Sequence, residues 1–174
     1  MSLVKPSLAL AAFAAAVGLA ASAGANTQFP FVALLNGAQE TPPVSSPSQG
    51  VAFLTFDANT NRLCYMVSYS PLGGAETVAH IHGSGGPGQS APILFGITPD
   101  VSPIGSPKHG CVGPLTKANL RDLRRGLLYI NVHSTIAPNG EIRGQIVPAG
   151  NVRYRGLPAI PFSPSGAFLG PEMP

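Results

Sequence analysis

Acidic side chains are scarce in this chain, with seven Asp and Glu among 174 residues. No two of them are placed in a way that points to glycosidase acid–base chemistry. The G-x-S-x-G nucleophile elbow, the H-E-x-x-H zinc motif and the P-loop are all missing. A glycine-rich stretch, Gly83-Ser84-Gly85-Gly86-Pro87-Gly88, is followed by no helix start, which removes the phosphate-cradle reading. There is no internal repeat. Cysteine is nearly absent, with Cys64 and Cys111 alone, and neither lies near the N-terminus, so a lipid-modified cysteine anchor is not expected. These gaps leave no recognisable hydrolase, and no catalytic residue is assigned.

The only long apolar run is at the start. Lys5 precedes Leu8 to Ala21, and Ala23-Gly24-Ala25 offers a small-residue cleavage site. Residues 1–25 are read as an export leader, with the mature chain starting at Asn26. An uncleaved membrane anchor is the alternative, but the run is short and alanine-rich for a span. Secretion or delivery to a periplasm follows, with no membrane attachment after cleavage. Without Lys5 the basic count falls from 10 to 9 against 7 acids, a weak balance. Lys117, Arg121, Arg124 and Arg125 cluster, but no aromatics are interleaved. A solvated helix face is the preferred reading, and nucleic acid is not an expected partner. In an exported chain the two cysteines favour a Cys64–Cys111 disulfide, which would add roughly 4 kcal/mol in the loop-entropy model. A metal-bound thiolate is the alternative.

Strand signals dominate the rest. Phe29 to Leu35, Val51 to Phe56, Leu63 to Tyr69, Thr77 to His82, Ala91 to Ile97, Leu127 to His133 and Glu141 to Val147 all read as strands. Asp57 to Asn61 reads as a hairpin turn. One short helix is expected after Thr116 as N-cap, with Leu120 and Leu123 on one side and Gly126 at its end. The fold class is therefore all-β: an antiparallel sandwich or barrel, immunoglobulin-like or superoxide dismutase-like, with one short helix. Thr41 to Gln49 is rich in Pro and Ser and is expected outside the core. Pro148 to Pro174 holds six prolines and four glycines, so residues 149–174 are read as an extended or flexible tail on which Phe162 and Phe168 offer docking groups.

Three of the four histidines fall in two of these strands. His80 and His82 are two apart and share a strand face. His133 shares its face with Tyr129 and Asn131, while Leu128, Ile130 and Val132 take the other. On the partner strand Glu141, Arg143 and Gln145 fall with His133 by parity. His80, His82 and His133 thus form a candidate metal site, with His109 as an outside member. Imidazole suits copper, zinc, iron or nickel. Glu141 and Arg143 are expected behind the ligands, orienting an imidazole or steering an anion. The glycine-rich loop after His82 is expected to leave the pair accessible. The alternative is a hydrogen-bonded polar network that binds nothing.

Three segments carry a family likeness. They are Leu35-Asn36-Gly37-Ala38-Gln39-Glu40-Thr41-Pro42-Pro43, Ala79-His80-Ile81-His82-Gly83, and Leu128 to Ser134 with Gly140 to Ile146. Together they resemble the CHRD domain, a family named from repeats in chordin and common in secreted bacterial proteins. The likeness runs from about Phe29 to Pro148 and makes residues 26–148 the domain. Ser134 stands where the family usually has Thr. The resemblance implies an extracellular β-sandwich module and makes His80, His82 and His133 motif residues. A looser layout likeness is to copper-zinc superoxide dismutases, with their His-x-His strand, disulfide and nearby arginine. The bridging histidine and zinc loop are absent here, so a copper-only site would remain. The expected function is an exported metal-binding module, with copper ahead of zinc. The rivals are a metal-free structural module meeting an extracellular protein partner, and a copper-only dismutase-like enzyme.

Overall fold

A computed structural model describes residues 27–97 and 105–151. The leader 1–25, and the tail beyond 151 with Phe162 and Phe168, lie outside the described residues. The strands are β1 (Gln28–Asn36), β2 (Gln49–Asp57), β3 (Arg62–Tyr69), β4 (Glu76–His82), β5 (Ile93–Gly96), β6 (Lys108–Val112), β7 (Leu128–Ser134) and β8 (Ile142–Pro148). One helix, α1 (Lys117–Arg124), lies between β6 and β7. All eight strands form one antiparallel sheet in the order β5-β4-β7-β8-β1-β2-β3-β6. The expected all-β class with one short helix is what the chain adopts.

The sheet curls until its two edges approach. Lys108 Nζ on edge strand β6 lies 2.6 Å from Glu76 Oε1 on β4, which neighbours the other edge, and both side chains are buried. Tyr69 on β3 donates its hydroxyl to Glu76 Oε2 at 2.5 Å. Burial, with the Glu76 bond and charge added, pushes the Tyr69 hydroxyl pKa up, so it stays a donor. An ion pair sealed from water in this way stabilises mainly by geometry. Removing one partner strands the other charge.

Alternation decides which faces meet inside this nearly closed barrel. Leu63 and Val67 on β3, Ala79 and Ile81 on β4, Leu128, Ile130 and Val132 on β7, and Ile142 and Ile146 on β8 all enter one core. Leu115 and Leu123 close it from the helix side. Thr116 caps α1 through a reciprocal pair: its Oγ1 accepts from the Asn119 N–H, and Asn119 Oδ1 accepts from the Thr116 N–H. Gly126 ends the helix at φ +69. The basic side chains of α1 point to solvent, as a solvated face should.

Three features depart from the sequence reading. Strand β6 was not expected, because Lys108-His109-Gly110-Cys111-Val112 carries little apolar alternation. It forms by pairing with β3, which sets Cys64 opposite Cys111, and the two are joined by a disulfide. The Thr41–Gln49 stretch is irregular, yet Ser48 is 1% exposed because its hydroxyl reaches inward to bond the Pro71 carbonyl. Finally, β7 is buried along its whole length. Its polar face was expected opposite the core, with no covering foreseen. A second layer of loops covers it instead.

Candidate metal centre

Core packing of Ala79 and Ile81 turns His80 and His82 to the outer face of β4. Antiparallel pairing with β7 then sets His80 opposite Asn131 and His82 opposite Tyr129, with His133 opposite Val78. His133 lies diagonally beside His80, and His80 Nδ1 is 3.2 Å from His133 Nε2. One ring nitrogen from each of His80, His82 and His133 can be chosen so that all lie within 4.8 Å of one another. Two ligands about 2.1 Å from a tetrahedral ion stand roughly 3.4 Å apart, so the His80–His133 spacing is already that of a ligand pair.

Backbone carbonyls set the tautomers. His82 Nδ1 meets the Ala91 carbonyl at 2.9 Å, and His133 Nδ1 meets the Pro138 carbonyl at 2.9 Å. A carbonyl only accepts, so each Nδ1 carries the proton and each Nε2 presents a lone pair. The His133 lone pair faces His80. The His82 Nε2 is buried and has no hydrogen-bond partner. A buried acceptor left unmade costs about 1–3 kcal/mol, so this nitrogen is an energetic deficit in the metal-free chain. Pinning of one ring nitrogen by a carbonyl is the usual support behind a histidine ligand.

Burial, then the neighbouring His133 and His82, pushes the His80 pKa down to about 4. Burial also lowers His82. Its Ala91 bond opposes this, while His133 and Arg143 add to it. Both rings are therefore neutral near pH 7, the form that binds a cation. No carboxylate joins the trio among the described residues.

A polar layer continues from the histidines across β7 to β8. The His82 ring stacks on Tyr129 at 4.8 Å and 3°. The Arg143 guanidinium lies 3.5 Å from the centre of the Tyr129 ring. Arg143 thus stands near the histidines through Tyr129 rather than against them. Asn131 Nδ2 donates to both Glu40 oxygens at 3.2 and 3.0 Å. Burial raises the Glu40 pKa to about 7, against the lowering pull of Arg143 and Asn131. Parity makes Tyr129 and Asn131 face-mates of His133, but nothing in their spacing marks them as stacking and anchoring groups. Glu40 had no signal beyond its place in a family segment.

Other expectations need correction. Glu141 touches no histidine. Its Oε1 accepts from Ser46 Oγ at 2.7 Å, Ser48 Oγ at 3.2 Å and the Gly73 N–H at 2.7 Å, and its Oε2 accepts from Ser134. Glu141 precedes the first paired residue of β8, so parity did not apply to it. Burial alone would raise its pKa, but these bonds together hold it below the usual carboxylate value. His109 is exposed on β6 opposite Met66 and is not part of the converging trio. His80 stays half-buried, but the glycine-rich loop does not leave His82 open. It folds back over His82, with the Gly83 N–H on the Pro92 carbonyl and the Gly85 N–H on the Leu127 carbonyl. A Cβ at Gly83 would lie 2.3 Å from Leu128 Cδ2, so a larger residue there would have to displace the Leu128 side chain.

Comparison with known proteins follows the same segments. The CHRD domain family model matches residues 31–146. Chordin of Xenopus laevis is 33% identical over 140 residues, which is 75% of this chain and 14% of chordin. The chain therefore spans a small part of that relative's length. No solved structure matches.

Proposed function

The chain belongs to the CHRD domain family, and on that premise we propose that it is an exported module binding one transition metal ion through His80, His82 and His133. The observation that carries this reading is the convergence of one ring nitrogen from each of three histidines to within 4.8 Å, beside a buried His82 Nε2 that has no hydrogen-bond partner. Three imidazoles form a borderline donor set that suits copper or zinc, and divalent copper binds such sites more strongly than divalent zinc. Copper is the first choice for that reason. When bound, the ion would supply Lewis acidity or redox capacity. The chain's own residues hold the His82 and His133 rings in one tautomer, exclude bulk water from His82 and set Arg143 behind Tyr129. The leader-like start and the disulfide support a location outside the cytoplasm.

The test is metal analysis after loading. Purified mature protein is incubated with copper or zinc, desalted and analysed for metal per chain. One ion per wild-type chain is expected, with none in the His80→Ala/His82→Ala double variant. Failure of the wild type to retain either metal overturns the reading.

A second reading has its own observation. Phe53 and Met66 are directly opposite across β2 and β3, 42% and 53% exposed, on the far side of the sheet order from the histidines. Such a pair supports a protein contact that does not involve the metal site. A pull-down that is lost with Phe53→Ser and kept with the histidine double variant would favour it.

A further inference from the structure

The donor set at the candidate metal centre brings no negative charge. Imidazole ligates as an uncharged base, and no carboxylate joins His80, His82 and His133 among the described residues. A thiolate is excluded as well, since Cys64 and Cys111 are tied to each other. The surroundings do not make up the difference. His82 and His133 are 9% and 8% exposed. Burial is the largest influence on both His80 and His82, and no acidic group among the described residues acts on either ring.

The charged side chain that does act on His82 is a cation. The Arg143 guanidinium lies over the Tyr129 ring, which stacks on His82, and its charge works against a proton on that imidazole. The same field opposes the charge of an ion held there. Glu40 acts on Arg143 and offsets this in part. The cost of taking an ion out of water grows with the square of its charge, so a covered site of uncharged donors penalises a dication far more than a monocation. Ligand number points the same way. Divalent copper favours a tetragonal set of donors, and the trio supplies three. Monovalent copper, with a filled d shell, makes no such geometric demand.

We propose that the centre formed by His80, His82 and His133 selects copper in its monovalent state, holding Cu(I) more tightly than Cu(II). The inference rests on the metal reading above and adds the oxidation state to it. Cu(II) is still bound, but less tightly, and the ratio of the two affinities raises the reduction potential of the bound ion above that of free copper. Zinc is divalent under all these conditions and meets the same charge penalty, so Cu(I) is expected ahead of zinc too. Such a centre is suited to holding or handing on cuprous copper.

The experiment is a pair of competition titrations on the mature chain at neutral pH. Cu(I) is kept reduced with ascorbate in the absence of oxygen and buffered by bicinchoninate, and Cu(II) is buffered by glycine. The Cu(I) dissociation constant is expected to be at least about 100-fold the smaller. At about 59 mV per tenfold for one electron, that ratio raises the potential of the bound ion by about 120 mV. His80→Asp, at the half-buried member of the trio, exchanges an uncharged donor for a carboxylate. It should shrink the preference at least roughly tenfold. Arg143→Gln leaves the three ligands in place and should shrink it several-fold by removing the opposing cation. Cu(II) held as tightly as Cu(I) by the wild type overturns this inference and leaves the metal reading standing. Retention of neither ion overturns both. A preference unchanged in His80→Asp, or in Arg143→Gln should the first variant hold neither ion, shows that charge is not its source and overturns the inference.

Discussion

Glu141, buried just ahead of β8, accepts four hydrogen bonds, while His82, buried on β4, keeps one ring nitrogen with none. Both are polar groups taken out of water, and the fold treats them in opposite ways. Around Glu141 the donors come from three separate segments: Ser46 and Ser48, Gly73, and Ser134. Their convergence ties irregular chain to the barrel and leaves no oxygen free for a ligand. Around His82 one nitrogen is fixed and the other is left bare beside two more imidazoles. A saturated cluster holds the structure together, and an unsaturated one is where an external partner gains most. The account predicts that changes at the first kind of site act on stability, and changes at the second act on binding.

Glu141→Ala should have the largest effect. It strands the Ser46 and Ser134 hydroxyls and the Gly73 N–H, while Ser48 keeps its shorter bond to the Pro71 carbonyl. At about 1–3 kcal/mol for each group left unmade, a loss of roughly 4 kcal/mol or more is expected in urea denaturation. Metal retained per folded chain should not change. If metal is lost while the fold survives, the contrast between the two regions is wrong.

Replacing both cysteines with serine should cost somewhat less. The disulfide closes a separation of 47 residues and staples β3 to β6, away from both polar clusters. A loss of up to roughly 4 kcal/mol is expected under denaturant, again with unchanged metal content.

Glu40→Gln sharpens the comparison through pH. The folded chain holds this proton more tightly than the unfolded chain, with a pKa of about 7 against an ordinary 4.5. Between those values the folded state binds more protons, so the Glu40 contribution to stability falls as pH rises. The variant lacks this loss. It should be more stable than wild type by about 1–3 kcal/mol at pH 8, with the difference vanishing near pH 4. Melting curves across pH check it. A difference that grows toward low pH would reverse the sign and contradict the burial argument.

His82→Phe should have the smallest effect on the metal-free fold. Phenylalanine keeps the stack on Tyr129 and removes the bare nitrogen along with the Ala91 bond. A change within about 1 kcal/mol is expected, together with complete loss of metal-induced thermal stabilisation.

The barrel was legible because seven of its strands alternate or run apolar, and Thr116, Leu120, Leu123 and Gly126 together spell out the helix. Strand β6 was not, because its formation depends on pairing with β3 and on the Cys64–Cys111 bond rather than on its own side chains. Parity placed His80, His82 and His133 on outer faces and grouped Arg143 with Gln145. It failed at Glu141, which lies before the first residue of β8 paired with β7. It also gave no sign that β7 would be covered on both faces. That covering comes from loops, where glycine allows close approach: a Cβ at Gly140, at φ +126, would sit 2.4 Å from Asn131 Nδ2. Close approaches of this kind have no period to read. The approach of Glu40 to Arg143 was likewise invisible, since spacing says which face a side chain takes and nothing of what meets it there.

The most direct test of the metal centre is X-ray absorption at the copper edge on the loaded wild-type chain. The account predicts three imidazole nitrogens at about 2.0–2.1 Å, and the loss of that shell in the His80→Ala/His82→Ala variant. A copper spectrum with fewer than three imidazoles, or one unchanged in the variant, would contradict it.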